Sequence, residues 1–294
     1  MPKTVTVLTP SYNRQKELSA LFKSLCDQTL YDFIWLIIDD GSNDQTAELV
    51  KSWEKTSLPF PIVFHRKENG GKHTALNVGF RLISTELTFI VDSDDVLSNT
   101  AIEEIVSIWN AVRSDRLSGI SFLRGTSLSQ TIGDPFPSDG VHNGIDIQFR
   151  YKITGDKAEV WRTDILRRYQ FPVFKGERFQ GENYVWWQIA LEYDMYYVNK
   201  IIYITEYLEG GLTRSGRALR IRCPLGGMEN SRMGLHPRFP LLERFKRAML
   251  YVCYGKFAHK SIVEIIARSG YPPLIALSYL PGWLLYHYWK TKYL

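Results

Sequence analysis

Three carboxylates stand close together in the stretch Val91-Asp92-Ser93-Asp94-Asp95. The four residues before it, 87–90, are apolar and partly β-branched, which is typical of a buried strand, and residues 97–100 resemble the start of a helix. The three carboxylates are therefore predicted to lie where a strand ends, the place where open α/β sheets bind ligands. Such a cluster suits Mg²⁺ or Mn²⁺, which take carboxylate oxygens and leave positions open for phosphates. The pattern predicts a divalent-metal and phosphate site, with a solvated acidic turn that caps the next helix as the structural alternative.

The acidic stretch closes a series in which strand patterns and helix patterns alternate. Apolar strand-like runs cover residues 5–8, 33–38, 62–64 and 87–90, and amphipathic helical patterns cover 15–27, 44–54 and 74–82. Alternation of this kind predicts an α/β fold, with a mostly parallel sheet flanked by helices. The first strand is not followed by G-x-G-x-x-G, and the chain has no G-x-x-x-x-G-K-[ST]. The usual dinucleotide-binding site and the P-loop are thereby excluded.

Four polar motifs follow the predicted strands in order. They are Thr-Pro-Ser-Tyr-Asn-Arg at 9–14, Asp-Asp-Gly-Ser at 39–42, Asn-Gly-Gly-Lys-His-Thr-Ala-Leu-Asn at 69–77 and Asp-Ser-Asp-Asp at 92–95. Together they resemble the donor half of the family 2 inverting glycosyltransferases, which have the GT-A fold. The resemblance covers about residues 5–100. It implies a nucleotide-diphosphate sugar as donor and a divalent metal, Mn²⁺ or Mg²⁺, as cofactor.

The same resemblance implies roles for individual residues. Lys72 would lie near the diphosphate, Asn77 near Asp92, and Asp94 would be the metal ligand. Asp40 would accept a hydrogen bond from the base, and Asp39 would brace that turn. The rest of the donor-binding set is Glu17 and Ser93, the ribose- or sugar-contacting Asp92, and the first loop, with Thr9, Pro10, Ser11, Tyr12, Asn13 and Arg14. An Asx-type turn at Asp40 and a solvated Lys72 are the structural alternatives.

The family places a Glu-Asp pair at a helix start, where it supplies the catalytic base. In this chain the pair reads Glu182-Asn183, and an amide cannot accept the proton. The resemblance therefore indicates Glu182 as the base, with Glu177 as the reserve. Stabilisation of a helix N-terminus is the alternative role for Glu182, and the two roles are compatible.

The second half of the chain changes in character. Residues 1–212 are predicted to form the catalytic domain, with a donor half at 1–124 and an acceptor half at 125–212, and residues 213–294 a helical C-terminal extension. The segment from position 214 to position 247 contains nine basic residues and only two acidic ones, Glu229 and Glu243. Such a segment predicts an acidic partner, or else a plain solvated surface. In the family a loop often closes over the donor here, so Arg214 and Arg217 are expected to reach the diphosphate.

Composition favours a cytosolic protein that touches a membrane. The chain has 294 residues and a formal net charge of +5, and its three cysteines, Cys26, Cys223 and Cys253, lie far apart. The strand pattern begins close to Met1, so no signal peptide is expected, and the cysteine spacing fits a reducing compartment. Residues 274–289 are apolar and aromatic, but too short to span a bilayer, and Pro281-Gly282 is expected to interrupt any helix there. These features predict a cytoplasmic protein on the inner face of the plasma membrane, unless the aromatic tail fills a soluble core or a dimer interface.

The predicted function is metal-dependent, inverting transfer of a sugar from a nucleotide diphosphate, with a UDP-sugar as the expected donor. The resemblance points to a polyprenyl-diphosphate-linked saccharide as acceptor, in bacterial capsule, O-antigen or exopolysaccharide synthesis. A sugar-phosphate nucleotidyltransferase is the first alternative, although its glycine-rich loop is missing after the first strand. A non-catalytic nucleotide-sugar-binding protein is the second. Nucleic acid is disfavoured, because the aromatic residues cluster in the apolar tail.

Overall fold

The structure is a computed structural model that describes residues 2–205 and 212–294, with the backbone alone at 212–215. The chain divides into two compact units. The first comprises residues 1–170 and 192–207, and the second comprises 171–191 and 208–294. This division differs from the predicted one at residue 212, because residues 171–191 group with the C-terminal helices.

The first unit begins with regular strand–helix alternation. Its elements are β1 (Val5–Ser11), α1 (Leu18–Cys26), β2 (Phe33–Asp39), α2 (Thr46–Glu54), β3 (Ile62–Arg66), α3 (Lys72–Leu82) and β4 (Leu87–Ile90). β1 pairs in parallel with β2 and β4, and β2 pairs in parallel with β3. The order β3-β2-β1-β4 follows from the crossover helices between the strands.

Within the described residues, six further strands extend this sheet with mixed pairing, and helical segments lie between some of them. They are β5 (Asp95–Leu97), α4 (Ala101–Val112), β6 (Leu117–Ser127), β7 (Gln130–Thr131), β8 (Gly140–His142), a π-helical turn (Asp146–Arg150), β9 (Lys157–Arg162), α5 (Thr163–Leu166), α6 (Asn183–Glu192) and β10 (Asp194–Thr205). The sheet continues from β4 through β9, β6 and β10 to β5, and only the β6–β10 contact in that series is parallel. The predicted α/β fold, with helices flanking the sheet, is confirmed.

Aromatic side chains fix the helices to the parallel strands. Phe33, Trp35 and Ile37 of β2 are fully buried. Phe22 of α1 stacks on Trp53 of α2, with ring centroids 4.2 Å apart. Since both faces of β2 are covered, its unbroken apolar run is what a central parallel strand requires.

The second unit contains α6 and five further helices. These are α7 (Leu212–Arg222), α8 (Pro224–Met233), α9 (Leu241–Phe257), α10 (Ile262–Ser269) and α11 (Pro272–Tyr293). Their core includes Met228, Tyr251, Ile265 and Trp289. The predicted C-terminal helical extension is confirmed. Among the described helices, none combines the length and apolar character needed to cross a bilayer.

One helix prediction was wrong. α11 runs through Pro281 without ending there. Proline in a helix interior removes a hydrogen bond and costs about 3 kcal/mol. Packing offsets this cost: Gly282 lies so close to α9 that a Cβ there would stand 2.7 Å from the Met249 carbonyl oxygen.

Candidate active site

The ends of three neighbouring strands converge at one edge of the sheet. β1 and β2 remain paired up to Ser11 and Asp39, and the Val91 amide, just after β4, donates to the Leu8 carbonyl at 2.9 Å. Because these strands are parallel, the loops that follow them emerge on the same side. The first loop, the Asp39-Asp40 turn and the Asp92–Asp95 turn therefore lie together, as the sequence predicts.

Cations from three separate elements surround the Asp92–Asp95 turn. Lys72 Nζ, at the start of α3, lies 2.6 Å from Asp92 Oδ1, and Arg124 Nη1 of β6 lies 3.8 Å from Asp92 Oδ2. Arg14 Nη2, in the first loop, lies 3.4 Å from Asp94 Oδ2. Burial opposes ionisation of Asp92, yet the charges of Lys72 and Arg124 hold its pKa below the usual value. Both carboxylates remain about one-quarter exposed, so they are accessible to a ligand.

A buried network behind this turn has no counterpart in the sequence prediction. The Asp92 amide donates to the Tyr203 hydroxyl at 2.9 Å, and that hydroxyl donates to Asp95 Oδ2 at 2.7 Å. The Arg124 guanidinium lies 4.0 Å above the Tyr203 ring. Burial, followed by the charge of Asp92, raises the pKa of Asp95 to about 7. Tyr203 and Arg124 thus fix the backbone that presents Asp92.

Sequence reasoning missed Arg124 and Tyr203 because their relation to the turn is non-local. Tyr203 is 111 residues from Asp92 along the chain. The available signal was an arginine directly after the apolar run of β6, at Leu123-Arg124. A cation that follows a buried apolar run within a strand requires an anionic partner.

Asp40, in the turn after β2, is held by residues of the segment that follows β3. Asp40 Oδ1 accepts from Lys67 Nζ at 2.6 Å and from the Gly70 amide at 3.0 Å. Its Oδ2 accepts from the Gly71 amide at 2.7 Å and from Asn69 Nδ2 at 3.1 Å. These contacts fix the 69–71 segment immediately before Lys72. The role of Asp40 as reader of the base stays a prediction, and the structure adds a definite structural role.

Asp39 lies deeper than Asp40 and is fully buried. Its carboxylate accepts from the amide and hydroxyl of Ser42 and lies 3.3 Å from Arg66 Nε. Gly41, which follows Asp40, has φ of 78°, and a Cβ there would stand 2.9 Å from the Asn69 amide nitrogen. The tight turn therefore requires glycine.

The first loop contains both buried and accessible residues. Thr9, Pro10 and Ser11 are buried in β1, and Thr9 Oγ1 accepts from Trp35 Nε1 at 3.0 Å. Tyr12 is exposed, whereas the Asn13 amide donates to Ser42 Oγ at 2.8 Å. Of the other predicted residues, Glu17 lies 3.4 Å from Arg14, while Asn77 of α3 and Ser93 are buried. Their roles in donor binding stay predictions.

The carboxylates of the Asp92–Asp95 turn are the candidate ligands for a divalent cation. Within residues 2–205 and 212–294, no group of three His, Cys, Asp or Glu side chains is arranged to hold a metal. Asp92 and Asp94 nevertheless offer hard carboxylate oxygens, which Mg²⁺ and Mn²⁺ prefer. Magnesium sites often take only one or two carboxylates and complete their coordination with water and substrate phosphates. The residues fit a metal that is bound together with a diphosphate.

The two candidate bases belong to the second unit and differ in their surroundings. Glu182 immediately precedes α6, and its carbonyl accepts from the Val185 amide at 3.0 Å. It thus lies at a helix start, as the family pattern requires. Glu177 accepts from the amides of Leu225 and Gly226 at 2.7 and 2.8 Å, so it caps the start of α8. That contact gives Glu177 a structural role and favours Glu182 as the base.

The glycine-rich loop predicted to close over the donor lies largely outside the described residues. This applies to residues 206–211 and to the side chain of Arg214. Arg217 is described, and its guanidinium lies 4.7 Å above the Trp289 ring. Contact of either arginine with a diphosphate stays a prediction.

Comparison with known proteins agrees with the geometry of the first unit. The sequence profile described as Glycosyl transferase family 2 matches residues 6–126. The chain is 31% identical over 121 residues to Poly(ribitol-phosphate) beta-N-acetylglucosaminyltransferase TarP of Staphylococcus aureus, a match that covers 40% of the chain and 36% of TarP. The chain is also 23% identical, over 237 residues, to the GalNAc(5)-diNAcBac-PP-undecaprenol beta-1,3-glucosyltransferase of Campylobacter jejuni. That match covers 78% of the chain and 73% of the relative.

Solved structures share the fold at low sequence identity. S. aureus TarS 1-349 in complex with UDP-GlcNAc aligns with a TM-score of 0.63 at 15% identity, covering 98% of the chain and 92% of TarS 1-349. The mannosyltransferase PcManGT of Pyrobaculum calidifontis, in complex with GDP-Man and Mn²⁺, aligns with a TM-score of 0.59 at 16% identity and covers 100% and 85%. Residues 6–126 thus match the glycosyl transferase family 2 profile, and the chain shares the GT-A fold of these solved structures.

Proposed function

We propose that the protein transfers a sugar, with inversion, from a nucleotide diphosphate to an acceptor hydroxyl. The observation that carries this proposal is the convergence of Lys72, Arg14 and Arg124 on the carboxylates of Asp92 and Asp94 at the strand ends. Such a site combines positive charge for a diphosphate with carboxylates for a cation and for sugar hydroxyls. A UDP-sugar is the proposed donor, supported by the UDP-GlcNAc complex of TarS.

The reaction needs a base and a stabilised leaving group. Glu182 takes the proton of the acceptor hydroxyl, whose oxygen attacks the anomeric carbon as the bond to the diphosphate oxygen breaks. Lys72 and Arg14 bind and orient the diphosphate and balance its negative charge. Asp94, with Asp92 beside it, would hold Mn²⁺ or Mg²⁺, which when bound supplies further charge to the leaving diphosphate.

We propose a polyprenyl-diphosphate-linked saccharide as acceptor, within bacterial surface-polysaccharide synthesis. The support is the printed activity of the C. jejuni relative, which acts on a saccharide linked to undecaprenol by a diphosphate. An acceptor of this kind is embedded in a membrane by its lipid. We therefore also propose a cytoplasmic protein associated peripherally with the inner face of the plasma membrane.

The test is a panel of nucleotide sugars with and without Mn²⁺, measuring donor binding by calorimetry and transfer by product mass. A UDP-sugar that binds more tightly with Mn²⁺ and is transferred supports the proposal. Binding without transfer to any lipid-linked acceptor would instead favour a non-catalytic nucleotide-sugar-binding protein. Formation of a nucleotide sugar from a sugar phosphate and a nucleoside triphosphate would favour the nucleotidyltransferase.

The base assignment is tested by Glu182→Gln, which keeps the shape of the side chain and cannot take the proton. We expect donor affinity to be retained and kcat to fall by about 10²–10⁴-fold. Glu54→Gln is the matched control, because it makes the same change on an exposed carboxylate at the end of α2. A loss below about tenfold for Glu182→Gln would reject it as the base.

A further inference from the structure

The C-terminal helix α11 has two sides of different character. One side packs within the second unit and buries Ile275, Ser278, Gly282 and Trp289. Gly282 approaches Val252 of α9 so closely that a Cβ there would stand 2.7 Å from the valine Cβ. This side fixes the rotation of α11 about its axis, and so it determines which residues the opposite side presents.

The opposite side, here called the outer face, consists of Leu277, Leu280, Trp283, Leu284 and Tyr288. Each of these side chains is between 38% and 71% exposed. At about 100° per residue, they fall on one continuous stripe opposite the buried side. Single exposed apolar residues are common on protein surfaces, whereas a contiguous apolar patch marks an interaction site.

Charge identifies the kind of partner. Among the 22 residues of α11 there is no Asp or Glu, while Lys290 and Lys292 lie exposed near its C-terminus. By the helical repeat the two lysines fall on either edge of the outer face, and Lys292 Nζ lies 3.3 Å from the Tyr288 hydroxyl. Leucines on one stripe, aromatic rings with polar edges and flanking cations are the composition of helices that lie in the interface of an anionic bilayer.

A second copy of the chain fits this face less well. In a two-fold contact the same patch meets itself, so Lys290 and Lys292 would meet their counterparts if the two helices were parallel, and the uncharged N-terminal half of the other α11 if they were antiparallel. In neither orientation does α11 offer the lysines a carboxylate. An anionic lipid surface instead offers an apolar layer to the stripe and negative charge to the lysines.

We propose that the outer face of α11 docks the protein on an anionic membrane, with the helix axis parallel to the membrane plane. The inference deepens the proposed function, since it names the surface by which the enzyme reaches a lipid-linked acceptor. The proposed function supplies the reason for membrane binding, whereas the docking surface itself is argued from the residues of α11. The exposed apolar residues lie on one side of α11, which suits a helix lying in the interface.

The test measures vesicle binding of the full chain by flotation, without donor or acceptor, so that its result does not depend on sugar transfer. Phosphatidylcholine vesicles are compared with vesicles that also contain phosphatidylglycerol. We expect binding to the anionic vesicles that weakens with added salt. Leu280→Gln combined with Leu284→Gln should lower the partition coefficient at least about tenfold, because the apolar area that enters the interface drives partitioning. Lys290→Gln with Lys292→Gln should lower it by about tenfold on anionic vesicles alone.

The matched control is Leu241→Gln with Leu242→Gln, which changes two leucines of α9 that are 72% and 66% exposed. It should leave vesicle binding within about twofold. No binding by the unaltered chain, or an equal loss in the control pair, overturns the proposal. A protein that dimerises in sedimentation velocity, and whose Leu280/Leu284 variant becomes monomeric without any change in vesicle binding, also overturns it in favour of a self-contact.

Discussion

Two acidic turns at the same edge of the sheet hold their carboxylates in different ways. Asp39 and Asp40, after β2, are 0% and 3% exposed; Asp39 accepts from Ser42 of the same turn, and Asp40 accepts from residues 67–71, including two backbone amides. Asp92 and Asp94, after β4, are partly exposed and face side-chain cations from three other elements. Similar sequence patterns thus produce one turn whose lone pairs are filled and one whose charges remain available.

The difference separates two uses of the same chemistry. A carboxylate saturated by amides and a partly buried lysine stabilises the loop and cannot release those partners without cost. A carboxylate that faces lysine and arginine side chains can exchange them, because a long side chain reorients where a backbone amide cannot. We therefore expect variants at the first turn to change stability and variants at the second to change activity.

The largest effect is expected for Asp94→Ala. Transfer should fall by a factor on the order of 10³, since the variant lacks the carboxylate that would hold the cation beside the diphosphate. Thermal stability should stay nearly constant, because Asp94 is partly exposed and the change also relieves repulsion among three carboxylates. Transfer assays with a Mn²⁺ titration and a melting curve check both parts. Full activity with unchanged Mn²⁺ dependence would show that the metal assignment is wrong.

Asp40→Ala should show the opposite behaviour. It leaves Lys67 and the amides of Gly70 and Gly71 without their acceptor, at a cost of about 4 kcal/mol in the free energy of unfolding. Urea unfolding measures this loss, with Glu54→Ala as the control on an exposed carboxylate. A change below about 1 kcal/mol would contradict the structural role of this turn.

The stability of the fold is also expected to depend on pH through His73, the second residue of α3. Burial lowers the pKa of His73 to about 4, with Lys67 acting in the same direction and Asp40 against it. The unfolded chain, with a histidine pKa near 6.5, binds more protons between these values. Stability is therefore fully present above about pH 6.5 and falls as the pH drops towards 4, by at most about 3 kcal/mol.

Urea unfolding at pH 7.5 and pH 4.5, for the unaltered chain and for His73→Gln, isolates this contribution. The carboxylates titrate in both proteins, so the difference between the two proteins reports the contribution of His73. The advantage of the unaltered chain should be about 2 kcal/mol smaller at the lower pH. An advantage that stays constant would mean that His73 is not held neutral by burial.

The sequence predicted the parallel half of the sheet because local patterns determine it. Each apolar run of β1, β2 and β4 is continuous, and the crossover rule leaves little freedom in their order. The strands β5, β7 and β8 were not predicted, since runs of two or three residues carry no periodicity. α11 was misjudged at Pro281, where packing of Gly282 on α9 offsets a strong local signal.

The candidate site divides in the same manner. Asp92, Asp94, Lys72 and Asp40 could be proposed from the sequence because each lies in a motif next to a strand end, and their roles stay predictions. Arg124 and Tyr203 were not, because they reach Asp92 only after β6 and β10 have joined the sheet. No local pattern encodes such pairing.

The smallest effect on stability is expected for Arg14→Gln, and it sharpens the comparison most. Arg14 lies 3.4 Å from both Asp94 and Glu17 and is 30% exposed, so its ion pairs are partly solvated. Pairs of this kind contribute about 0.2–1 kcal/mol, and we expect a change in unfolding free energy below about 0.5 kcal/mol. Donor affinity should nevertheless fall about tenfold, as a diphosphate loses one charged contact. Calorimetric titration with a UDP-sugar beside urea unfolding measures both quantities on one sample. A variant that lost more than about 2 kcal/mol in stability with unchanged donor affinity would make this turn structural, like the Asp39-Asp40 turn, and the proposed division between the two turns would fail.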